Sequence, residues 1–132
     1  MNSRRGAVID IGTNSIKLLV GDVSDGLIRP VDERSEQTRL GAGLYDTQVL
    51  QPVTIERTAS AVAKFVAYAR DQDASAIRVI ATSAARDAKN PDDLVSAVRR
   101  ASGLRVEIIS GEQEAEWVYR GLTSDERFHG KG

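Results

Sequence analysis

The chain has 132 residues, of which 41% are hydrophobic and 28% are charged, and this balance is typical of one globular domain. The formal net charge of −1 argues against binding driven by bulk attraction to nucleic acid or to an anionic membrane. The chain has no cysteine and one histidine, His129, which excludes disulfides, thiolate chemistry and multi-histidine metal sites. No apolar run suits a signal peptide or a membrane span, so we expect a cytoplasmic protein that binds neither nucleic acid nor a membrane.

The N-terminal part of the chain predicts three strands. Ala7–Ile11 is typical of a buried strand, and Ile16–Val23 predicts a second strand with alternating apolar residues. The tripeptide S-D-G at 24–26 is a hairpin turn signal. Leu27–Thr38 predicts a more polar third strand, and Pro30 within it favours a position at the edge of the sheet.

The turn between the first two strands is the most informative segment for function. It consists of Gly12, Thr13, Asn14 and Ser15, and it comes just after the carboxylate of Asp10. A glycine lets the backbone approach a ligand closely, and successive N–H groups in a tight turn form a concave anion site. Phosphate would suit this site, with Asp10 holding a hydrated cation or positioning water. The alternative is that these residues only form a turn, and the segment matches neither the Walker sequence nor the dinucleotide fingerprint.

Further along the chain, the pattern predicts a loop, a long helix and a strand. Leu40–Leu44 contains Gly41 and Gly43 and predicts the loop. Pro52–Asp71 predicts the helix, because apolar residues recur there at spacings of three and four. Ile77–Ala81 predicts the strand. The apolar stripe of the helix consists of Ile55, Ala59, Val62, Val66 and Ala69.

The last third of the chain predicts a helix, a strand and another helix. The first of these helices has Asn90 as its N-cap and Pro91 in its first turn, and it ends at Gly103. Arg105–Ile109 predicts the fifth strand. The following segment, Ser110–Gln113, matches a capping box and predicts the final helix.

The order of elements predicts an α/β fold with a mixed five-stranded sheet and flanking helices. Strands that alternate with helices imply parallel pairing with right-handed crossovers, whereas the three leading strands imply antiparallel pairing. This arrangement describes a ribonuclease H-like lobe. Ligands in such sheets bind at the carboxyl ends of the strands. The turn after the first strand and the segments after Ala81 and Ile109 should therefore converge on one edge.

Two of these converging segments carry candidate catalytic groups. Arg86 lies one short turn beyond Ala81, where a guanidinium can bind phosphate oxygens through a bidentate fork. The alternative is an exposed arginine paired with Asp87 or with another acid nearby. Glu114 lies at a strand-to-helix junction, on a different helix face from Glu112, and is a candidate general base. The alternative is that acids in a first helical turn only favour the helix dipole.

Four segments together resemble successive motifs of the exopolyphosphatase / guanosine pentaphosphate phosphohydrolase family. They are D-I-G-T-N-S-I-K-L-L-V from residue 10, R-L-G-A-G-L from residue 39, A-T-S-A-A-R-D-A from residue 81 and V-E-I-I-S-G-E-Q-E-A-E from residue 106. They occur in the family's order and spacing and cover the chain to about Gly121. The last two segments separate this family from sugar kinases, actin and the Hsp70 ATPases, which share the first turn type.

The resemblance implies the actin-like ATPase fold with two lobes, of which this chain is the first. Residues 1–122 would form the N-terminal lobe and residues 123–132 a polar tail. The family's second glycine-rich loop, of the type D-x-G-G-G-S-T-E, does not occur in the sequence. We therefore expect the C-terminal lobe of the same protein as a partner that supplies the rest of the site, and a homodimer stays open.

The same resemblance implies roles for individual residues. Glu114 matches the catalytic glutamate that orients and deprotonates the attacking water. The first phosphate loop corresponds to Gly12–Ser15, and Arg86 corresponds to an arginine that clamps phosphate. Asp10 would reach Mg²⁺, or another divalent cation, through water. Arg39, which precedes the glycine-rich loop, is a further candidate for lining the cleft.

The function implied is hydrolysis of terminal phosphoanhydride bonds of inorganic polyphosphate, of guanosine pentaphosphate, or of both. One alternative is the ATP-binding lobe of a sugar kinase or actin-like protein. Another is a non-catalytic half-domain with a binding or regulatory role. Because the second phosphate loop is absent, we expect the chain by itself to be weakly active or inactive.

Overall fold

Five strands and four helices make up the part of the chain that the computed structural model describes, residues 4–24 and 27–109. The predicted helix after Ser110, which contains Glu114, and the turn residues Asp25 and Gly26 lie outside the described residues. The elements follow one another as β1 (Arg4–Ile11), β2 (Ser15–Ser24), β3 (Leu27–Gln37), α1 (Leu44–Thr47), α2 (Pro52–Asp71), β4 (Ala76–Ala81), α3 (Ser83–Asp87), α4 (Pro91–Ser102) and β5 (Val106–Ile108).

The strands form one mixed sheet in the order β3-β2-β1-β4-β5. β1 pairs antiparallel with β2, and β2 pairs antiparallel with β3. β4 lies in the interior of the sheet, parallel to both β1 and β5. The predicted ribonuclease H-like arrangement is confirmed, including the edge position of the proline-containing third strand.

The hydrophobic core lies on one face of this sheet. Alternate residues of β1 and β2 point to this face, because successive side chains of a strand point to opposite sides. α2 covers them with its predicted apolar stripe, and α4 packs beside α2 with Leu94 and Val98 buried. Burying a Val, Leu or Ile side chain contributes about 1.5–3 kcal/mol, so this core holds the strand ends in place. The sheet residues concerned are Ala7, Ile9, Ile11, Ile16, Leu18, Val20, Val79, Ala81 and Val106.

The edge strand β3 contacts α2 through polar side chains instead of apolar ones. Its register with β2 places Asp32, Arg34 and Glu36 opposite core residues, so these three side chains lie on the α2 side. The hydroxyl of Tyr68 on α2 donates a hydrogen bond to Asp32, and Arg34 Nη2 donates to the same hydroxyl at 3.0 Å. Lys64 Nζ lies 2.5 Å from Glu36 Oε1. A polar inner face keeps this edge strand attached without exposing apolar surface.

Two short helices were not predicted from the sequence. α1 begins at Leu44, at the end of the segment predicted to be a loop, and α3 (Ser83–Asp87) occupies the segment predicted to be a short turn beyond the strand. Both helices have five residues or fewer, which is too short for an apolar period to recur. Arg86 therefore lies in a helix, one turn after the end of β4.

The start of α4 differs from the prediction in one detail. Asn90 occupies the N-cap position and Pro91 the first helical position, as predicted, but the Asn90 side chain does not cap the helix. Instead, its Oδ1 accepts a hydrogen bond from Leu50 N at 2.7 Å and its Nδ2 donates to Leu50 O at 3.1 Å. The asparagine thus ties α4 to the segment before α2. Gly103 ends the helix in the left-handed conformation, with φ 78°, as expected.

Candidate functional site

The carboxyl ends of the three parallel strands lie at one edge of the sheet. Ile11 of β1 is paired with Ala81 of β4, and Ala81 is paired with Ile108 of β5. Two further bonds continue these ladders past the strand ends: Thr82 N donates to Ile11 O at 3.2 Å, and Ile109 N donates to Ala81 O at 3.0 Å. The turn after β1 and the segment after β4 therefore leave the sheet side by side, as the predicted topology requires.

The Gly12–Ser15 turn reverses the chain within four residues. Gly12 N donates a hydrogen bond to Ser15 O at 2.9 Å, which closes the turn. A Cβ atom on Gly12 would lie 3.1 Å from that same oxygen, closer than ordinary van der Waals contact. Glycine is needed here because the two arms of the turn approach each other closely.

The carbonyl groups of this turn bond to a second segment, which we call the 38–41 loop (residues 38–41). Thr38 N and Arg39 N both donate to Asn14 O, at 3.1 and 2.9 Å, and Gly41 N donates to Thr13 O at 2.9 Å. Among the described residues, the N–H groups of Thr13 and Asn14 donate no hydrogen bond. The two central carbonyls of the turn, those of Thr13 and Asn14, thus have their hydrogen bonds, and two N–H donors are left for a ligand. That is the polarity required by an anion site made of backbone N–H groups.

Gly41 contacts the turn so closely that a side chain at this position would force Thr13 to shift. A Cβ atom there would lie 2.4 Å from Thr13 Cγ2 and 3.4 Å from Thr13 O. The sequence predicted only a loop here, whereas in the structure this loop also supports the Gly12–Ser15 turn. The pair of glycines in R-L-G-A-G-L was the available signal, because a residue without a Cβ permits close backbone approach.

α2 in turn holds the 38–41 loop. Thr54 Oγ1 donates to Leu40 O at 3.3 Å, and Arg57 Nη1 donates to Thr38 O at 3.2 Å. The Leu40 side chain is fully buried in the core. The Gly12–Ser15 turn is therefore connected to the core through a loop that the first two turns of a long helix hold in place.

Asp10 lies on β1 between Lys17 of β2 and Ile80 of β4. Its neighbours Ile9 and Ile11 point into the core, so Asp10 lies on the opposite face of the sheet. The residue is half-buried, and its Oδ1 atom is buried. Asp10 thus lies next to the Gly12–Ser15 turn, where its carboxylate could hold a cation.

Arg86 lies on α3, whose Ala84 and Ala85 are buried and fix the orientation of this helix. Arg86 is exposed, and its Nη1 donates a hydrogen bond to Ile109 O at 2.9 Å. This bond connects the segments that follow β4 and β5 at the same edge of the sheet as the Gly12–Ser15 turn. The structure thus brings Asp10, the turn and Arg86 to one edge.

The comparison with known proteins decides the family. The model of the Ppx/GppA phosphatase family matches residues 19–131 of this chain. The chain belongs to the Ppx/GppA phosphatase family. The resemblance deduced from the four sequence segments is confirmed.

Two curated Ppx/GppA relatives illustrate the range of the family. The chain is 37% identical over 132 residues to a protein named exopolyphosphatase 2 from Mycobacterium tuberculosis (strain ATCC 25618 / H37Rv), covering 92% of this chain and 41% of that protein. It is 36% identical over 122 residues to a guanosine-5′-triphosphate,3′-diphosphate pyrophosphatase from Aeromonas hydrophila, covering 92% of this chain and 25% of that relative. The chain thus spans less than half the length of either relative.

Solved Ppx/GppA structures share the fold. The crystal structure of the Aquifex aeolicus family member superimposes with a TM-score of 0.87 at 31% identity, over 96% of this chain and 41% of that one. An exopolyphosphatase from Cytophaga hutchinsonii gives a TM-score of 0.83 at 26% identity, over 91% of this chain and 38% of that one. The predicted actin-like lobe is therefore confirmed.

Glu114, the residue that matches the Ppx/GppA catalytic glutamate, lies outside the described residues. Its role as general base and the division of the chain at residue 122 stay predictions. Within the described ranges, no three His, Asp or Glu side chains form a group that could hold a metal ion. No helix in that part of the chain is long and apolar enough to cross a membrane.

Proposed function

We propose that this chain supplies one half of a site that hydrolyses terminal phosphoanhydride bonds of inorganic polyphosphate or guanosine pentaphosphate. The observation that carries the proposal is the hydrogen bonding of the Gly12–Ser15 turn. The 38–41 loop donates hydrogen bonds to the carbonyls of Thr13 and Asn14, and the N–H groups of the same two residues stay available. Donors fixed in this way suit the oxygens of a phosphoryl group, since they need no reorganisation when negative charge develops.

The proposed reaction needs an in-line water, a base and cations for the charge on the transferring group. The oxygen of water adds to the terminal phosphorus, and the water proton passes to Glu114. The bond between that phosphorus and the bridging oxygen breaks, and the bridging oxygen keeps the electron pair on the shortened chain. Orthophosphate is released. Arg86 would bind the transferring group from the α3 side of the edge.

The donor set at Asp10 fits a divalent cation such as Mg²⁺. This ion binds commonly through one or two carboxylates together with substrate phosphate oxygens and water. When bound, it would neutralise charge on the phosphate oxygens. Its remaining ligands would come from the substrate, from water or from another part of the protein, because the described part of the chain has no group of three candidate ligands.

The lengths of the relatives support a site that is completed elsewhere. The chain spans 41% of the Mycobacterium tuberculosis relative, and the remaining length would form the C-terminal lobe. That lobe, or a second copy of the chain, would supply the missing phosphate contacts. The proposed compartment is the cytoplasm, where nucleotide and polyphosphate substrates of this class would be met.

The test compares the 132-residue chain with a fusion of the chain to the unmatched C-terminal part of the Mycobacterium tuberculosis relative. We expect the fusion to release orthophosphate from long-chain polyphosphate or from guanosine pentaphosphate, and to lose this activity when a chelator removes divalent cations. A folded fusion that hydrolyses neither substrate would contradict the proposal. Hydrolysis that persists with excess chelator would contradict the role of the cation alone.

A further inference from the structure

Arg39 has a backbone conformation that non-glycine residues rarely adopt. Its φ is 52°, and Gln48 and Asp73 are the other described non-glycine residues with positive φ. Gln48 is the C-cap of α1, and Asp73 comes directly after the C-cap of α2. Left-handed residues are ordinary at helix C-termini, but Arg39 lies in the 38–41 loop, which follows a strand. Its conformation therefore needs another explanation.

The 38–41 loop imposes this conformation. The N–H groups of Thr38 and Arg39 converge on the same acceptor, Asn14 O, and Ala42 N donates to Arg39 O at 3.0 Å. Glycine or asparagine would adopt the left-handed region at lower cost. An arginine held there indicates that its side chain contributes something that outweighs the strain.

The Arg39 side chain is exposed, and within the described ranges its guanidinium makes no hydrogen bond or ion pair. The arginines of the neighbouring elements behave differently. Arg34 bonds to Asp32 and Tyr68, and Arg57 bonds to Thr38 O. The N–H donors of the Arg39 guanidinium are thus available to a ligand. The Arg39 backbone is bonded directly to the Gly12–Ser15 turn through Asn14 O.

We propose that Arg39 binds a second phosphate group of the substrate, next to the one bound by the N–H groups of Thr13 and Asn14. This inference rests on the proposed function, because it takes the turn as the site of the first phosphate. A planar guanidinium binds phosphate oxygens in a bidentate fork, and a fixed backbone reduces the entropy lost on binding. Arg39 would therefore favour chains of phosphates over single phosphate ions.

The test is a titration of the 132-residue chain, followed by NMR, with orthophosphate and separately with tripolyphosphate. The amide signals of Thr13 and Asn14 report whether the turn is occupied, and the concentration dependence gives an affinity for each probe. We expect Arg39→Gln to weaken tripolyphosphate binding about tenfold and to change orthophosphate affinity less than twofold. Arg39→Lys should retain part of the preference, because it keeps the charge and loses the fork.

Arg70→Gln is the matched control. Arg70 is an exposed arginine in the last turn of α2, and the end of α2 lies near the start of β1, where Arg5 Nη1 donates to Gln72 O. This is the opposite edge of the sheet from the turn, so the change should leave both affinities unaltered. An Arg39→Asn variant is a second test, because asparagine tolerates the left-handed backbone. It removes the guanidinium without disturbing the fold of the loop. It should behave as Arg39→Gln does.

Two other outcomes contradict the inference, and a third contradicts the proposed function as well. If the Thr13 and Asn14 signals shift but Arg39→Gln keeps full tripolyphosphate affinity, the inference is wrong and the proposed function stands. An equal loss for both probes would mean that Arg39 acts only through the backbone of the turn, which also contradicts the inference. If neither probe shifts these signals in the unchanged chain, the phosphate role of the turn fails, and the inference fails with it.

Discussion

Among single residues, Gly41 has the most specific structural role. Its backbone N–H bonds to Thr13 O, and the space where a side chain would lie is occupied by Thr13 Cγ2. The glycine therefore determines how closely the 38–41 loop approaches the Gly12–Ser15 turn. A residue with no side chain of its own thus supports the geometry of the candidate site.

We expect Gly41→Ala to displace the Gly12–Ser15 turn, because the added Cβ would lie 2.4 Å from Thr13 Cγ2. Overpacking of this kind typically costs about 1–3 kcal/mol of the free energy of unfolding. Urea denaturation measures that cost, and NMR titration with orthophosphate measures the accompanying loss of affinity.

Gly6→Ala is the control for this change. A Cβ on Gly6 would meet Ala76 O at 3.5 Å, an ordinary contact, so the free energy of unfolding should stay the same or rise slightly. If Gly41→Ala retains both wild-type stability and wild-type phosphate affinity, the close contact with Thr13 does not govern the turn.

Glu114→Gln in the fusion protein tests the general base. We expect a loss of about 10²–10⁴-fold in turnover, the usual contribution of a general base, while polyphosphate binding survives. Steady-state phosphate release gives the turnover, and equilibrium titration gives the binding. Full turnover by this variant would show that another residue is the base.

Arg86→Ala should lower both the affinity for the substrate and the rate of hydrolysis. The guanidinium acts on the substrate in the ground state and in the transition state alike, so binding should weaken together with the rate. The variant also removes the bond to Ile109 O, so its free energy of unfolding must be measured beside its activity. A normal affinity combined with a lower rate would contradict a phosphate-clamping role for Arg86.

Among the elements, the β3–α2 contact links stability to pH. The Tyr68 hydroxyl donates a hydrogen bond to Asp32, and Arg34 lies beside the same carboxylate, so the pKa of Asp32 is lowered from its ordinary value. In the same sheet, the Arg5 guanidinium bonds to Asp22 and lowers the pKa of that carboxyl group. A carboxyl group with a lowered pKa stabilises the folded state only while it is ionised.

The free energy of unfolding should therefore fall as the pH decreases below about 4, the ordinary aspartate pKa. The stabilising contribution is complete above that pH and is lost as the pH falls through the lowered pKa of the folded state. Urea denaturation at a series of pH values measures the slope. Asp32→Asn should make the slope shallower, and Ser35→Ala, a change at an exposed position on β3 that removes no titratable group, should leave it unaltered. Equal slopes for all three proteins would contradict the role of the β3–α2 contact.

At the scale of the whole molecule, the question is whether a chain of this length can hold a complete site. The chain covers 41% of the Aquifex aeolicus structure and nearly all of its own length matches that fold. We expect the 132-residue chain by itself to hydrolyse polyphosphate poorly or not at all, since the resemblance assigns the second phosphate loop to the other lobe. Turnover by the isolated chain equal to that of the fusion would require a complete site within this lobe or across a homodimer.

The sequence by itself determined the type and order of the long elements and the edge at which they end. α2 runs from Pro52 to Asp71 as predicted, because twenty residues give an apolar period enough repeats to be recognised. Gly103 stops α4 for a local reason, its positive φ. The parallel and antiparallel pairings followed from the connections alone, and the turn after β1 followed from its residue types.

Only the tertiary structure decided how the candidate site is held. The bonds from Arg39 and Gly41 to the Gly12–Ser15 turn join segments that the whole of β2 and β3 separates, and no periodicity encodes such a pair. The same reason explains the bond from Asn90 to Leu50, where a side chain suited to capping found a partner 40 positions away. Local patterns specify elements because they depend on neighbours along the chain. The hydrogen bonds that hold a site in place depend instead on tertiary packing. They form between the backbone groups that are still unpaired once the elements have packed.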